Sequence, residues 1–155
     1  MYIPRFLEKT IRAQLGAREI IGIIGPRQSG KTTLMNHVAQ SLKNTHFLDF
    51  EDRTVLELFS EDIESFIELH VKPYDFLFID EFQYAQNGGK NLKYIYDHHK
   101  TKIIISGSSA SGLSIHGIKY LVGRIFVFQL PPFSFEEYLS YKEPEVFSKI
   151  YSKNK

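Results

Sequence analysis

The chain has 155 residues, a hydrophobic share of 43% and a formal net charge of +1, which fits one domain with a real core and gives no basic footprint for strong non-specific nucleic-acid binding. No cysteine is present, so disulfides, thiolate catalysis and Cys-based zinc sites are excluded. The apolar runs are only a few residues long and the N-terminus "MYIPRFLEK" lacks the apolar core of a signal peptide, so the expectation is a cytoplasmic protein with no membrane span.

Residues 4–15 place Phe6, Leu7, Ile11 and Leu15 at helical spacing, with Pro4 suited to a first turn and Gly16 ending the helix. "EIIGII" (19–24) reads as a buried strand. Residues 31–43 align Leu34, Met35, Val38 and Leu42 on one helical face, and "THFLDF" (45–50) is a second strand. One or two helices are expected over 52–71, a third strand over 74–80 and a helix within 88–100. Strands four and five follow at 102–106 and 124–130. After Pro131 and Pro132, "FSFEEYLSYK" reads as a short helix, and nothing beyond it suggests a second domain. Short apolar strands alternating with helices predict a parallel sheet covered on both faces, with ligands bound beyond the strands' carboxyl ends.

"GPRQSGKT" fits the spacing G-x-x-x-x-G-K-[ST] from Gly25 to Thr32, between a strand and a helix. The expected roles follow from chemistry. Gly25 leaves the strand through dihedrals a side chain would resist, and Gly30 lets phosphate oxygens approach the backbone. Amides from about Gln28 to Thr33 form an anion-binding concavity, at the start of a helix that adds partial positive charge. Lys31 supplies a full charge, Thr32 a hydroxyl for magnesium, and Thr33 a further phosphate contact. Arg27 and Ser29 complete the candidate nucleotide-binding stretch.

"FLFIDE" ends an apolar strand in Asp80 and Glu81. Two carboxylates there are costly without a cation, so Asp80 is a candidate Mg²⁺ ligand and Glu81 a candidate base for attacking water. An acid directly after the strand aspartate favours ATP hydrolysis over kinase transfer, and no N-K-x-D guanine-reading motif occurs. The fourth strand ends in Ser106-Gly107-Ser108-Ser109. A hydroxyl there can bond the γ-phosphate or the water, with Ser108 and Ser106 the leading candidates. Arg124, at the start of strand five, can reach the nucleotide of a neighbouring copy, or simply cap its strand. "DFEDR" (49–53), with Asp49, Glu51, Asp52 and Arg53, can approach the nucleotide site, though an acid-rich helix start is the simpler reading, and "YIPR" (2–5) is an anchor or a packing surface for an adenine ring. His98 and His99 point in different directions and make no shared metal site.

"GPRQSGKTTL", "FLFIDEFQ", "IIISGSSASGL" and "LVGRIFVFQLPPFSFEEYL", in this order, resemble the AAA+ superfamily and, more narrowly, ATPases of the AAA_14/DUF4143 type. The resemblance runs from "YIPR" to "FEEYL". It implies a three-layer α/β P-loop NTPase of the ASCE type, with a five-stranded parallel sheet in the order 5-1-4-3-2, occupying residues 1–155 as one domain. It also implies Lys31 and Thr32 as Walker A, Asp80 and Glu81 as Walker B, and 106–109 as sensor 1. Arg124 matches the family's GR arginine. Family members continue past "FEEYL", so the expectation is the N-terminal part of a longer ATPase, with a DNA or protein partner engaged through the missing region, or else a naturally short relative.

Two functional readings stay open. One is a Mg²⁺-dependent ATPase domain binding ATP and ADP, with weak hydrolysis in isolation and homo-oligomers using Arg124 in trans. The other is a nucleotide-gated interaction switch with little turnover. A small-molecule kinase is a weaker third.

Overall fold

The computed structural model describes residues 2–108 and 118–151. Its elements are α1 (Phe6–Ala13), β1 (Ile20–Gly25), α2 (Lys31–Gln40), β2 (Thr45–Asp49), α3 (Arg53–Glu61), α4 (Ile63–Phe66), β3 (Phe76–Asp80), α5 (Gly88–His98), β4 (Lys102–Ser108), β5 (Ile125–Gln129), α6 (Phe135–Lys142) and α7 (Pro144–Tyr151). The five strands form one sheet in the order β2-β3-β4-β1-β5, and every neighbouring pair is parallel. This is the expected order, read from the other edge.

The period-2 alternation of each strand divides the core into two layers. Ile21 and Ile23 of β1, Phe78 of β3 and Ile104 of β4 face one side, where Ile11 of α1 and Leu34, Met35 and Val38 of α2 cover them. Ile20, Leu77, Ile79, Ile103 and Ile105 face the other side, under Phe59 of α3, Phe66 of α4, and Leu92 and Ile95 of α5. Phe50 anchors that second layer, with ring centroids 5.0 Å from Phe59 and 5.8 Å from Phe82. Because both faces are buried, β1, β3 and β4 can be apolar throughout, and only their ends are free to carry polar chemistry.

Several boundaries differ from the sequence reading, while the stretch expected to hold one or two helices, 52–71, holds two. Pro4 lies before α1 rather than in its first turn, because Arg5 is the extended N-cap (φ −102°, ψ 138°), and α1 closes at Ala13. The helical stretch 52–71 breaks at Asp62, whose backbone leaves the helix (φ −137°, ψ 75°) and whose carboxylate accepts from Ser65 N at 3.1 Å to start α4. A π-helical turn over Ile67–Val71 then ends that stretch. β4 runs two residues further than expected, to Ser108, because Ser106, Gly107 and Ser108 keep their register against Ile23, Ile24 and Gly25. Finally, α7 follows α6 directly and buries none of its residues fully.

Candidate functional site

β1 ends at Gly25 beside the end of β5. A Cβ on Gly25 would lie 2.3 Å from Leu130 O and 2.8 Å from Ser29 Oγ. Glycine is therefore required here by close approach of backbone, not by a left-handed dihedral as the sequence suggested. The left-handed glycine is Gly30 (φ +89°), which stands as N-cap of α2 without any side-chain cap. Gln28 also has positive φ (63°), an uncommon conformation for a residue with a Cβ. Two left-handed residues within three positions fold the segment back on itself, as an amide cradle requires.

This loop forms one wall of a cleft of about 410 Å³ lined by Arg27, Gln28, Gly30, Lys31, Thr32, Thr33, Glu51 and Glu81. Gly25 and Ser29 lie beneath it. Ser29 is 2% exposed, and its Oγ has no hydrogen-bond partner among the described residues. Lys31 is buried, and its Nζ donates to Gly25 O (3.2 Å) and Pro26 O (3.0 Å), so the ammonium is held inside the ring of the loop.

β3 delivers the acids. Asp80 is 3% exposed and sits in register with Asp49 on β2. Its Oδ2 accepts from Thr32 Oγ1 at 2.5 Å, and its Oδ1 accepts from Ser106 Oγ. A hydroxyl from α2, a carboxylate from β3 and a hydroxyl from β4 thus meet across three elements. Glu81 then turns into left-handed backbone (φ 55°, ψ 39°), and its N–H donates to Asp80 Oδ1 (3.1 Å) and Ser106 Oγ (3.2 Å). The turn sends Phe82 into the core, 2% exposed, while Glu81 faces the cleft. Gly88 permits this packing: a Cβ there would stand 2.7 Å from the Phe82 ring.

Gln83 was not singled out in the sequence. Its amide Nε2 donates to Glu81 Oε2, and its Oε1 accepts from Ser108 N at 3.1 Å. It ties the carboxylate of Glu81 to the end of β4. The signal available was a lone amide two residues after the acid, which becomes meaningful only once residue 81 is known to reverse the chain. Glu51 answers to the less favoured of the two readings of "DFEDR", an approach to the nucleotide site. It lines the cleft, whereas the helix-start role expected for "DFEDR" falls to Asp52, which accepts from Thr54 N at 2.9 Å.

Of the two leading serines, Ser106 touches Asp80 and Glu81 N, whereas Ser108 is buried opposite Gly25 and meets Gln83 through its main chain. Ser109 lies outside the described residues. Arg124 stands at the other end of the sheet. Its carbonyl accepts from Ile20 N at 2.7 Å, five residues upstream of Gly25 or about 16 Å along the strand. Its Nε donates to Asp97 Oδ1 at 2.8 Å, which with Lys93 holds the Asp97 carboxyl down at about 2.

Beside the cleft, and sharing Gly30 and Thr33 with it, lies a smaller cavity of about 230 Å³ lined by Tyr2, Ile3, Arg5 and Phe133. The "YIPR" segment therefore borders the candidate site. Tyr2 stacks on His37 with centroids 3.7 Å apart, and its hydroxyl donates to Glu8 at 2.5 Å. Burial and that bond push the Tyr2 phenol above its ordinary range.

Residues 17–139 match the AAA_14 family, described as an AAA domain. The chain belongs to the AAA_14 family. Among curated proteins, no relative matches. Solved structures give the fold of this AAA_14 domain from further away. AMPPCP-bound DnaA from Aquifex aeolicus aligns with a TM-score of 0.62 at 17% identity, covering 90% of this chain and 48% of that one. Bacteroides Pif1 helicase in complex with ADP-AlF3 and ssDNA aligns at 0.57 and 15% identity, covering 88% and 43%. Caenorhabditis elegans PCH-2 aligns at 0.52 and 19% identity, covering 92% and 44%. The chain spans under half the length of these proteins. These structures share its fold, and the family match together with the parallel sheet makes it an AAA+ P-loop domain. Among the described residues, no helix is long and apolar enough to cross a membrane.

Proposed function

We propose that this AAA_14 domain binds ATP with Mg²⁺ and hydrolyses it. The observation that carries the reading is the convergence of Thr32, Asp80, Ser106 and Glu81 at the mouth of the glycine loop. The triphosphate lies along the loop, its charge met by main-chain amides, the start of α2 and the Lys31 ammonium. Arg27 and Gln28 flank it, Thr33 offers a second hydroxyl, and Gly25 and Ser29 hold the loop from below. The adjoining cavity between Tyr2, Ile3 and Phe133 suits the flat, largely apolar base.

The donor set fits magnesium. Thr32 Oγ1 and Asp80 Oδ2 are hard oxygens 2.5 Å apart, and a site with one carboxylate leaves room for phosphate oxygens and water. The ion would neutralise phosphate charge there. Glu81 accepts the proton of the attacking water, and Gln83 holds the carboxylate in place for it. Ser106 fixes Asp80 and the Glu81 main chain; Ser108 closes the β4 side beside Gly25. Within one chain Arg124 does not approach this cleft, so any part it takes in turnover is through a neighbouring copy. DnaA and Pif1 were solved with nucleotide analogues, and one Pif1 with single-stranded DNA, which supports a nucleotide ligand here.

A nucleotide-gated switch with little turnover is the second reading. Exposed Phe133, Phe135 and Tyr138, on the strap and helix next to the smaller cavity, favour it by offering a surface that nucleotide can reshape. Titration calorimetry with MgATP, paired with a phosphate-release assay, separates the two. Binding with measurable release supports the ATPase, and binding without release at any protein concentration supports the switch. No heat with either ATP or ADP would end both, and Lys31→Ala is expected to abolish the heat.

A further inference from the structure

Arg5 is a buried cation that the ATPase reading does not use. It is 4% exposed and engages three separate parts of the chain. Its NH1 donates to Ser29 O at 2.6 Å, inside the glycine loop. Its NH2 donates to Pro131 O at 2.5 Å, on the strap after β5. Its Nε donates to Glu137 Oε2 at 3.1 Å, in the first turn of α6. Its guanidinium carbon lies 4.2 Å from the Phe133 ring centroid.

Glu137 is equally committed. It also accepts from Phe6 N (2.8 Å), where α1 begins, and from Ser134 N (3.1 Å). The Ser134 hydroxyl in turn accepts from Glu137 N (3.0 Å), completing the capping box of α6. Burial pushes the Glu137 carboxyl up, but these main-chain donors and Arg5 outweigh it and hold it below the ordinary range. The first turns of α1 and α6 are therefore fastened to the glycine loop through one ion pair.

Ser29 and Gly30 share a trans peptide unit. Its C=O and N–H point in opposite directions. Holding Ser29 O against Arg5 therefore turns Gly30 N–H away from Arg5, at the point where the loop must present amides to an anion.

We propose that Arg5 is a positioning residue of the glycine loop, and that through Glu137 it couples nucleotide occupancy to the start of α6. The inference rests on the nucleotide-binding reading above. Coupling is reciprocal: if Arg5 favours the binding shape of the loop, ADP in the loop tightens the Arg5–Glu137 junction.

The test compares wild type, Arg5→Lys and Arg5→Gln by ADP titration calorimetry and thermal melting, with hydrogen exchange of the wild type with and without saturating ADP. Arg5→Gln loses at least about tenfold in ADP affinity, and Arg5→Lys, which keeps the charge but not the fork, loses less. In the wild type, ADP slows exchange of the Phe135–Lys142 amides more than those of Gly88–His98, a helix with no link to Arg5. A merely structural Arg5 lowers the melting temperature and leaves this difference at zero. Unchanged ADP affinity in a folded Arg5→Gln protein overturns the inference, as does equal slowing in the two helices. The exchange measurement stands even if Arg5→Gln fails to fold. Absence of ADP heat in the wild type removes the nucleotide reading as well and is thereby told apart.

Discussion

The two ends of the sheet differ in what they bring together. At the amino ends of the strands, long cations lie on carbonyls or on a single acid. Arg18 donates to His99 O (2.8 Å) and Tyr96 O, Lys102 to Ala17 O (2.8 Å) and Glu19 O, and Arg124 to Asp97. These are staples: each joins two segments, and burial lowers Lys102 to about 8. At the carboxyl ends Lys31 and Arg5 also lie on carbonyls, but short acidic and hydroxylic groups from several elements converge beside them. Gln28, Gly30 and Glu81 all have positive φ there. Positive φ also occurs at the amino ends, at Asn44 and Gly123, and the same backbone hydrogen-bond ladder supports both ends, so what separates chemistry from carpentry is convergence.

That contrast can be broken experimentally. The largest effect is expected for Glu81→Gln, which keeps nucleotide binding and lowers turnover by about 10²–10⁴-fold, as loss of a general base does. Single-turnover phosphate release measures it, and unchanged turnover would remove Glu81 from the chemistry. Gly25→Ala comes next. Its Cβ would press on the Leu130 carbonyl, and backbone cannot yield as a flexible side chain can. A cost of about 1–3 kcal/mol in urea unfolding is expected. Gln83→Ala should lower kcat by roughly tenfold with KM unchanged, since it frees a carboxylate without touching the phosphates. A change in KM instead would place Gln83 on the substrate.

The smallest effect lies at the sheet edge, away from the cleft. His46 on β2 and His70 share a hydrogen bond of 2.9 Å, with Tyr74 stacked on His46 at 4.3 Å. Burial lowers both rings' proton affinity, and His70 lowers that of His46 further. A depressed folded value means that the unfolded chain takes up protons first. The stability contribution is therefore present above about pH 6.5 and lost as pH falls below it. Melting temperatures at about pH 7 and pH 5 should differ more for wild type than for His46→Phe.

Much of this was legible in the sequence, for reasons that differ by residue. β1, the glycine loop and α2 were readable because apolar periodicity and phosphate chemistry agree on the same stretch, Ile20 to Gln40. Asp80 and Glu81 were readable because acids closing a buried strand need a cation or a reaction. Arg5 was not, since its partners lie 24, 126 and 132 positions away, and only the folded chain brings them together. Gln83 was hidden because an i to i+2 contact between side chains needs the left-handed turn at Glu81. The glycine at 25 was identified for the wrong cause: sequence shows that a side chain is missing, not whether a dihedral or a neighbour forbids it.

The backbone angle at Glu81 has a consequence for how this domain can change. Glycine or asparagine would rest there more comfortably than glutamate. Glu81→Gly should therefore melt at a higher temperature than wild type while losing the carboxylate. Selection for ruggedness alone would drift toward an inert but sturdier protein, so keeping an acid at this position requires continued selection for what the acid does.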